Sequence, residues 1–254
     1  MKSIAMLTRR ELLHFFRQPT RLFGSLAQPL LFWLFMGSGF ARSFRTASGD
    51  LSYTEFFYPG IVLMLLLFAA IFSTITLIED RTAGFLQGVL VAPVSRLYLV
   101  LGKVIGGTAI ALIQALIFLL FAPLAGIALS VGIVANLVIL FILVGLGFTA
   151  LGFMVAWTVD TTAGYHAIMS VVFIPLWLLS GALFPLESSA VWLNWVMCLN
   201  PITYAMTIIR IAFYQPFSSL ATDGDFLFSL AITLVWTLLT LAGSVLIITR
   251  KADV

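Results

Sequence analysis

Residues 57–78, FYPGIVLMLLLFAAIFSTITLI, form an almost unbroken apolar run. Residues 78–96, IEDRTAGFLQGVLVAPVSR, follow it with three adjacent charges and a short mixed segment. About 20 predominantly apolar residues cross the hydrocarbon core of a bilayer. The run therefore predicts a membrane-spanning helix, and the charges that end it predict an exit into water.

The rest of the chain has the same apolar character. Of its 254 residues, 62% are hydrophobic and 9% are charged, whereas soluble domains average about 25% charged residues. The sequence therefore predicts an all-α integral membrane protein, a single transmembrane domain over residues 1–254. The six predicted spans are 22–40, 57–78, 104–126, 134–157, 166–184 and 227–248.

The basic residues predict the orientation of these spans. An even number of spans places both termini on one side, and that side carries 10 of the 13 Lys and Arg residues. An excess of Lys and Arg marks the cytoplasmic side of a membrane protein. Both termini are therefore predicted to be cytoplasmic. The basic character of the chain then reflects topology, and no nucleic-acid partner is predicted.

Residues 3–17, SIAMLTRRELLHFFR, predict an amphipathic helix on the inner membrane surface. Its apolar side chains can share one broad face, while Arg9, Arg10 and Arg17 lie largely off that face. The alternative is that this stretch is only a basic flank of the first span. A cleaved signal peptide is not favoured, because the apolar run that follows is long and contains Gln28–Pro29.

The sequence contains no motif with which the chain itself would catalyse a reaction or bind ATP. HExxH, Cys/His metal spacing and GxxxxGK[ST] are absent, so no metal or cofactor is predicted for this chain. The spans carry almost no ionisable residue at mid-depth, which disfavours a proton-driven transporter. Gln28 and Gln114 are expected to hydrogen-bond across helix interfaces. Three kinds of function remain: a passive channel, a structural membrane protein, or a transport subunit that a partner protein powers.

The segment after the second span is where a partner would act. Glu79 and Asp80 stand at a helix C-terminus, where the helix dipole disfavours acids, so they need a compensating partner. The candidates are Arg81 and the N-terminal arginines Arg9, Arg10 and Arg17, or alternatively the positive N-terminus of the next helix. Residues 82–92 predict a short amphipathic helix that ends at Pro93 and suits docking in a partner's groove. The alternative is a plain loop packed on the bilayer. Two basic residues are expected to anchor the third span: Arg96 and Lys103.

The long external segment before the last span is rich in aromatic residues, which prefer the membrane interface. Residues 188–214 are predicted to form short helices that dip into the outer leaflet and break at Asn200–Pro201. The alternative is that Asn200–Pro201 forms an ordinary turn. Pro185 has a similar alternative, in which it only ends the preceding helix.

Four segments together resemble the membrane subunits of type-2 ABC transporters, a family of drug, lipid and polysaccharide exporters. They occur in the family's order and cover nearly the whole chain. They are RELLHFFRQP at 10–19, IEDRTAGFLQGVLVAPVSR at 78–96, LLSGALFPLES at 178–188 and LNPITYAM at 199–206. One departure is Gln87, where the family often has an acid, and this change bears on the contact with an ATPase.

The resemblance implies a permease that two separate cytoplasmic ATPase subunits drive, with ATP and Mg bound by those subunits. A second copy of the chain would complete the pathway among membrane lipids. The implied activity is export of an amphipathic drug-, lipid- or glycan-like substrate through a bacterial inner membrane. The alternative function is a membrane scaffold or biogenesis factor that transports nothing.

The resemblance also assigns three sets of functional residues. The first set, on and around the coupling helix at 82–92, comprises Glu79, Asp80, Arg81, Gly84, Phe85, Leu86 and Pro93. The second set, on the interfacial helix that would sit against it, comprises Arg9, Arg10, Glu11 and Arg17. The third set, at the external gate, comprises Ser180, Gly181, Pro185, Asn200, Pro201 and Tyr204.

Overall fold

The computed structural model describes residues 2–40, 52–84, 95–185 and 190–250. Within these ranges the secondary structure is helical and contains no strand, which confirms the all-α prediction. The helices are α1 (Lys2–Phe16), α2 (Pro19–Phe40), α3 (Tyr53–Thr82), α4 (Arg96–Leu119), α5 (Val131–Thr158), α6 (Thr162–Ala182), α7 (Val191–Leu199), α8 (Pro201–Tyr214), α9 (Phe217–Leu220) and α10 (Gly224–Arg250).

Five of the described helices are long and apolar enough to cross a membrane: α3, α4, α5, α6 and α10. The bent pair α7 and α8 would make a sixth if it counts as one span. The described helices therefore support five to six spans, compared with the six predicted. Helix α2 covers the predicted first span, but Gln28 and Pro29 reduce its apolar character. A span at 22–40 stays a prediction.

Helix α3 is the central helix of the bundle, and most of its residues are buried. It packs against α2, α4, α5 and α8. A capping box fixes its start, because the Glu55 amide donates to Ser52 Oγ at 3.2 Å and the Ser52 amide donates to Glu55 Oε2 at 2.8 Å. The helix runs about 45 Å at 1.5 Å per residue, so it extends beyond a hydrocarbon core of about 30 Å.

Two helix boundaries near the charged segment differ from the approximate bounds predicted for the coupling helix and the third span. Thr82, predicted to begin the coupling helix, is instead the last residue of α3, and Ala83 and Gly84 turn the chain away. The third span, predicted at 104–126, is a helix from Arg96 to Leu119. Its first turn is partly exposed at Leu97 and Tyr98, whereas Leu99 and Lys103 are buried where the helix packs against α1 and α3.

Helix α6 contains two π-helical stretches, Met169–Phe173 and Leu178–Ala182. The second includes Gly181 at φ +80°, a left-handed backbone conformation that glycine adopts readily. A π-helical turn leaves backbone carbonyls without their usual partner in the same helix, so neighbouring elements must satisfy them. Helices α7 and α8 lie beside this end of α6 and meet each other at an angle of 89°.

Candidate coupling site at the charged end of the bundle

Helix α1 packs directly on α4 rather than lying only on a membrane surface. The close approach depends on two glycines one helical turn apart. A Cβ atom at Gly102 would lie 2.7 Å from Leu7 Cβ, and one at Gly106 would lie 2.9 Å from Glu11 Cβ. Small residues at this spacing let two helix backbones come together. As a result, Glu11 enters the interior between α1, α3 and α4.

Four charged side chains meet there, and we refer to Arg10, Glu11, Asp80 and Lys103 as the charge cluster. Lys103 Nζ lies 2.7 Å from Glu11 Oε1 and 2.7 Å from Asp80 Oδ2. The Arg10 guanidinium donates to both Asp80 oxygens, to Oδ2 at 2.9 Å. Two of these residues come from α1, one from α3 and one from α4. The cluster therefore ties three helices together at one end of the bundle, called here the charged end.

The charge cluster is buried, so its charges cost free energy unless each one has a partner of opposite charge. Glu11 and Lys103 are each 4% exposed and Asp80 is 7% exposed. Two cations face two carboxylates, so the formal charge is zero. The Thr76 hydroxyl accepts from Lys103 Nζ at 2.9 Å and donates to Glu11 Oε2 at 3.0 Å. A buried ion pair is tolerated only when such further hydrogen bonds satisfy its remaining atoms.

The charge cluster also explains how one of the two acids at the C-terminal end of α3, Asp80, is stable there. Asp80 is compensated by Arg10 and Lys103, and the hydrogen bond to Asp80 raises the pKa of the Arg10 guanidinium. Glu79, by contrast, is exposed. Sequence reasoning named Arg10 among the candidate partners, but it gave Lys103 only the role of anchoring the third span and did not identify it as a partner of Asp80.

Two arginines hold the C-terminal ends of α5 and α10 at the charged end of the bundle. Arg81 donates to the carbonyls of Trp157 at 2.9 Å and Val159 at 3.2 Å, and its guanidinium lies 5.3 Å from the Trp157 ring centre. Arg96 Nη1 lies within hydrogen-bonding distance of the Thr249 carbonyl, at 3.3 Å. Cations suit helix C-termini because the last carbonyls are unpaired and carry partial negative charge. Helices α5 and α10 are thereby capped from α3 and α4.

The predicted coupling residues fall into two groups. Those on α3 or just after it are described: Asp80 and Arg81 make the contacts above, while Gly84 follows the helix and turns the chain at φ +75°. Phe85, Leu86 and Pro93, with most of the predicted helix at 82–92 and the departure at Gln87, lie outside the described residues. Of the residues predicted on the interfacial helix, Arg9 on α1 and Arg17 just after it are exposed, while Arg10 and Glu11 belong to the charge cluster.

The predicted gate residues gather at the opposite end, where α8 satisfies the carbonyls of α6. Asn200 Nδ2 donates to the Leu176 carbonyl at 2.6 Å, while its Oδ1 caps α8 by accepting from the Ile202 amide at 3.0 Å. Arg210 Nη2 donates to the Gly181 carbonyl at 2.6 Å, and its guanidinium lies 4.2 Å from the Phe56 ring centre. Sequence reasoning missed Arg210 as a packed residue, because it treated this region as an external segment.

The other gate residues have local partners. Tyr204 donates to the Cys198 carbonyl at 2.7 Å, which holds α8 against the end of α7 across Pro201. Ser180 is buried and donates to the Trp177 carbonyl at 2.6 Å within α6. Pro185 is half-buried near the end of the described segment. These contacts describe a packed junction of α6, α7 and α8, and its role as a gate stays a prediction.

The ABC-2 type transporter family matches this chain over residues 2–214. The chain therefore belongs to that family, which confirms the resemblance seen in the sequence. It is an integral membrane permease of the ABC transporter type. Members of the family normally work with ATPase subunits.

Two named relatives support the assignment. "Putative transport permease ycf38" of Cyanophora paradoxa is 31% identical over 214 residues, which cover 83% of this chain and 73% of that protein. "Probable multidrug ABC transporter permease YbhR" of Escherichia coli (strain K12) is 26% identical over 162 residues, which cover 63% of this chain and 44% of that protein.

Proposed function

We propose that this chain is the permease subunit of an ATP-driven ABC exporter. With a second copy it forms the translocation pathway for an amphipathic drug-, lipid- or glycan-like substrate. Two separate cytoplasmic ATPase subunits, which bind ATP and Mg, supply the energy. Membership of the ABC-2 family carries the proposal, together with the placement of the predicted coupling segment directly after α3.

In this mechanism the segment at 82–92 receives the movement of the ATPase and passes it to α3. The charge cluster then moves α1 and α4 with α3, because a buried, complete set of ion pairs resists separation. Arg81 moves α5 in the same way, because it is bound to the carbonyls at the C-terminus of that helix. Through these contacts, a displacement of the segment at 82–92 would move four helices: α1, α3, α4 and α5.

The opposite end has the complementary role in this proposal. The junction of α6, α7 and α8 is held by side chains bonded to individual carbonyls, such as Asn200 to Leu176 and Arg210 to Gly181. Such a junction can open by exchanging a few hydrogen bonds, so it suits an external gate. The charged end faces the cytoplasm, with both termini on that side, in a bacterial cytoplasmic membrane.

The proposal is tested by purifying the affinity-tagged chain from the membranes of its own host in mild detergent. An ATPase of the ABC type is expected to copurify with it. Phe85→Asp or Leu86→Asp, within the coupling segment, is expected to abolish copurification because a charge replaces an apolar docking contact. The matched control is Phe217→Asp, at an exposed position on α9 outside the predicted spans. Absence of any ATPase, or retention in both coupling variants, would favour the scaffold function instead.

A further inference from the structure

Helix α1 has a second apolar face, opposite the one that packs on α4, and none of the described helices covers it. On the packed face, Glu11 and Phe15 are each 4% exposed. Met6, Leu13 and Phe16 are 72%, 43% and 52% exposed. At 3.6 residues per turn these three side chains lie within an arc of about 80° on the opposite side of the helix. The helix therefore presents large apolar side chains away from the bundle as well as toward it.

The exposed face also carries positive charge. Arg9 lies in the middle of the exposed arc and Arg17 follows the last turn of the helix, and both side chains are exposed. Neither forms an ion pair with any residue that the structure describes, whereas Arg10 is bound to Asp80. Glu11 is the only acid in the sequence of α1, and it is buried in the charge cluster. We refer to the following residues as the outer face of α1: Met6, Arg9, Leu13, Phe16 and Arg17.

The outer face differs from the arrangement that the sequence predicted. The arginines were expected largely off the apolar face, but Arg9 lies between exposed apolar side chains. Such a mixture suits the boundary between acyl chains and head groups, where apolar side chains enter the hydrocarbon and arginines reach the phosphates. The chain continues from this face into α2, which also exposes large apolar side chains such as Phe23 and Phe35. The apolar surface of α2 thus extends along the chain from the outer face.

The charge of the outer face determines which lipid fits it. The cytoplasmic leaflet carries anionic lipids, and each Lys or Arg near such a surface contributes about 1 kcal/mol of attraction. A zwitterionic head group has no net charge with which to compensate two unpaired arginines. The apolar side chains fit either kind of lipid, so the arginines are the residues that select between them.

We propose that the outer face of α1 binds anionic phospholipids of the cytoplasmic leaflet. Met6, Leu13 and Phe16 lie among the upper parts of the acyl chains, and Arg9 and Arg17 bind the phosphates. The choice of leaflet rests on the proposed function, which puts the charged end in the cytoplasm, but the choice of lipid does not. Helix α1 is then held on one side by the bilayer and on the other by the charge cluster.

The test measures which lipid lies against Leu13. The full chain with Cys198→Ser and Leu13→Cys is labelled with the fluorophore NBD and placed in nanodiscs of phosphatidylglycerol and phosphatidylcholine in equal parts. One of the two lipids carries bromine close to its head group and quenches NBD on contact. The ratio of quenching by the two brominated lipids gives the local preference. Leu227→Cys is the matched control site, because this leucine is 46% exposed and lies near the opposite end of the bundle.

The label at Leu13 is expected to show at least about a fivefold preference for phosphatidylglycerol, since about 1 kcal/mol from one arginine corresponds to about that factor. The label at Leu227 is expected to show none. Arg9→Gln combined with Arg17→Gln is expected to abolish the preference, while phosphatidylcholine still quenches because the apolar side chains remain. Arg9→Lys combined with Arg17→Lys keeps both charges, so it is expected to retain the preference. High salt is expected to reduce the preference by screening.

Three results would overturn the inference. The first is equal quenching by the two lipids at Leu13 in the chain that has both arginines. The second is an unchanged preference in the double glutamine variant. The third is the absence of quenching by either lipid at Leu13, which would indicate that a protein partner covers the outer face.

The outcome is separable from that of the proposed function, because the measurement uses the permease chain without an ATPase. A preference for phosphatidylglycerol that depends on the two arginines, in a chain that copurifies with no ATPase, would support the lipid site and contradict the exporter. An ATPase complex whose chain shows no such preference would support the exporter and contradict the lipid site.

Discussion

The substitution Lys103→Met tests the charge cluster most sharply. Methionine has a similar length and fits an apolar interior, so the change removes the cation while largely keeping the volume. Lys103 Nζ lies 2.7 Å from a carboxylate oxygen of Glu11 and 2.7 Å from one of Asp80. In the variant, Arg10 alone would face two carboxylates, and the cluster would carry a net charge of −1.

The expected cost follows from this geometry. Removing one partner of a buried ion pair destabilises a protein by about 3–5 kcal/mol, because the other charge remains buried without compensation. For a chain of this size, 1 kcal/mol shifts the midpoint of thermal unfolding by roughly 2–4 °C. Lys103→Met is therefore expected to lower the midpoint by about 6–20 °C in nanodiscs, as measured by intrinsic tryptophan fluorescence.

A double variant makes the prediction specific. Lys103→Met combined with Asp80→Asn restores a formal charge of zero, so it is expected to be less destabilised than the sum of the two single variants by about 0.5–3 kcal/mol. Arg9→Met removes an exposed cation of α1 and is expected to change stability by no more than about 0.5 kcal/mol. If Lys103→Met behaves like Arg9→Met, or if the double variant is simply additive, the reasoning is refuted.

Three other predictions concern helix ends and helix contacts. Arg81→Gln should lower stability by about 1–3 kcal/mol in the same unfolding assay, because it leaves the last carbonyls of α5 without a charged donor. Asn200→Ala should cost about 0.5–2 kcal/mol, because it removes the cap of α8 and also frees the Leu176 carbonyl. Gly102→Leu should displace α1, since its Cβ would lie 2.7 Å from Leu7 Cβ, and limited proteolysis should then cut α1 faster.

Each of these variants has a matched control in the same region or residue type. Glu79→Gln and Asn194→Ala alter exposed polar residues and should change stability by no more than about 0.5 kcal/mol. Gly39→Leu introduces the same side chain where a Cβ meets no atom within 4 Å, so α1 should stay as resistant as in the wild type. Equal effects in a variant and its control would contradict the corresponding contact.

Local patterns in the sequence predicted the features that depend on neighbouring residues. The apolar run at 134–157 predicted a span, and a helix from Val131 to Thr158 lies there. A break at Asn200–Pro201 was predictable because asparagine caps helices and proline favours their first position. The bend of 89° between α7 and α8 occurs at this dipeptide.

Features that depend on distant residues were not predictable in this way. A lone Lys103 in an apolar sequence is expected at a surface, since an unpaired charge in the bilayer is expensive. Its partners Glu11 and Asp80 lie on two other helices, and only the approach of α1 to Gly102 and Gly106 brings Glu11 into reach. The contact between Arg210 and the π-helical end of α6 likewise depends on packing between separate elements.

The central claim is that an ATPase drives this chain through the segment after α3. The most direct measurement is the ATP hydrolysis rate of the complex copurified with the wild-type chain in nanodiscs, compared with the preparation obtained with Leu86→Asp. The account predicts hydrolysis in the wild-type preparation and only background hydrolysis in the Leu86→Asp preparation. Equal hydrolysis in both preparations, or none above background with the wild-type chain, would contradict it.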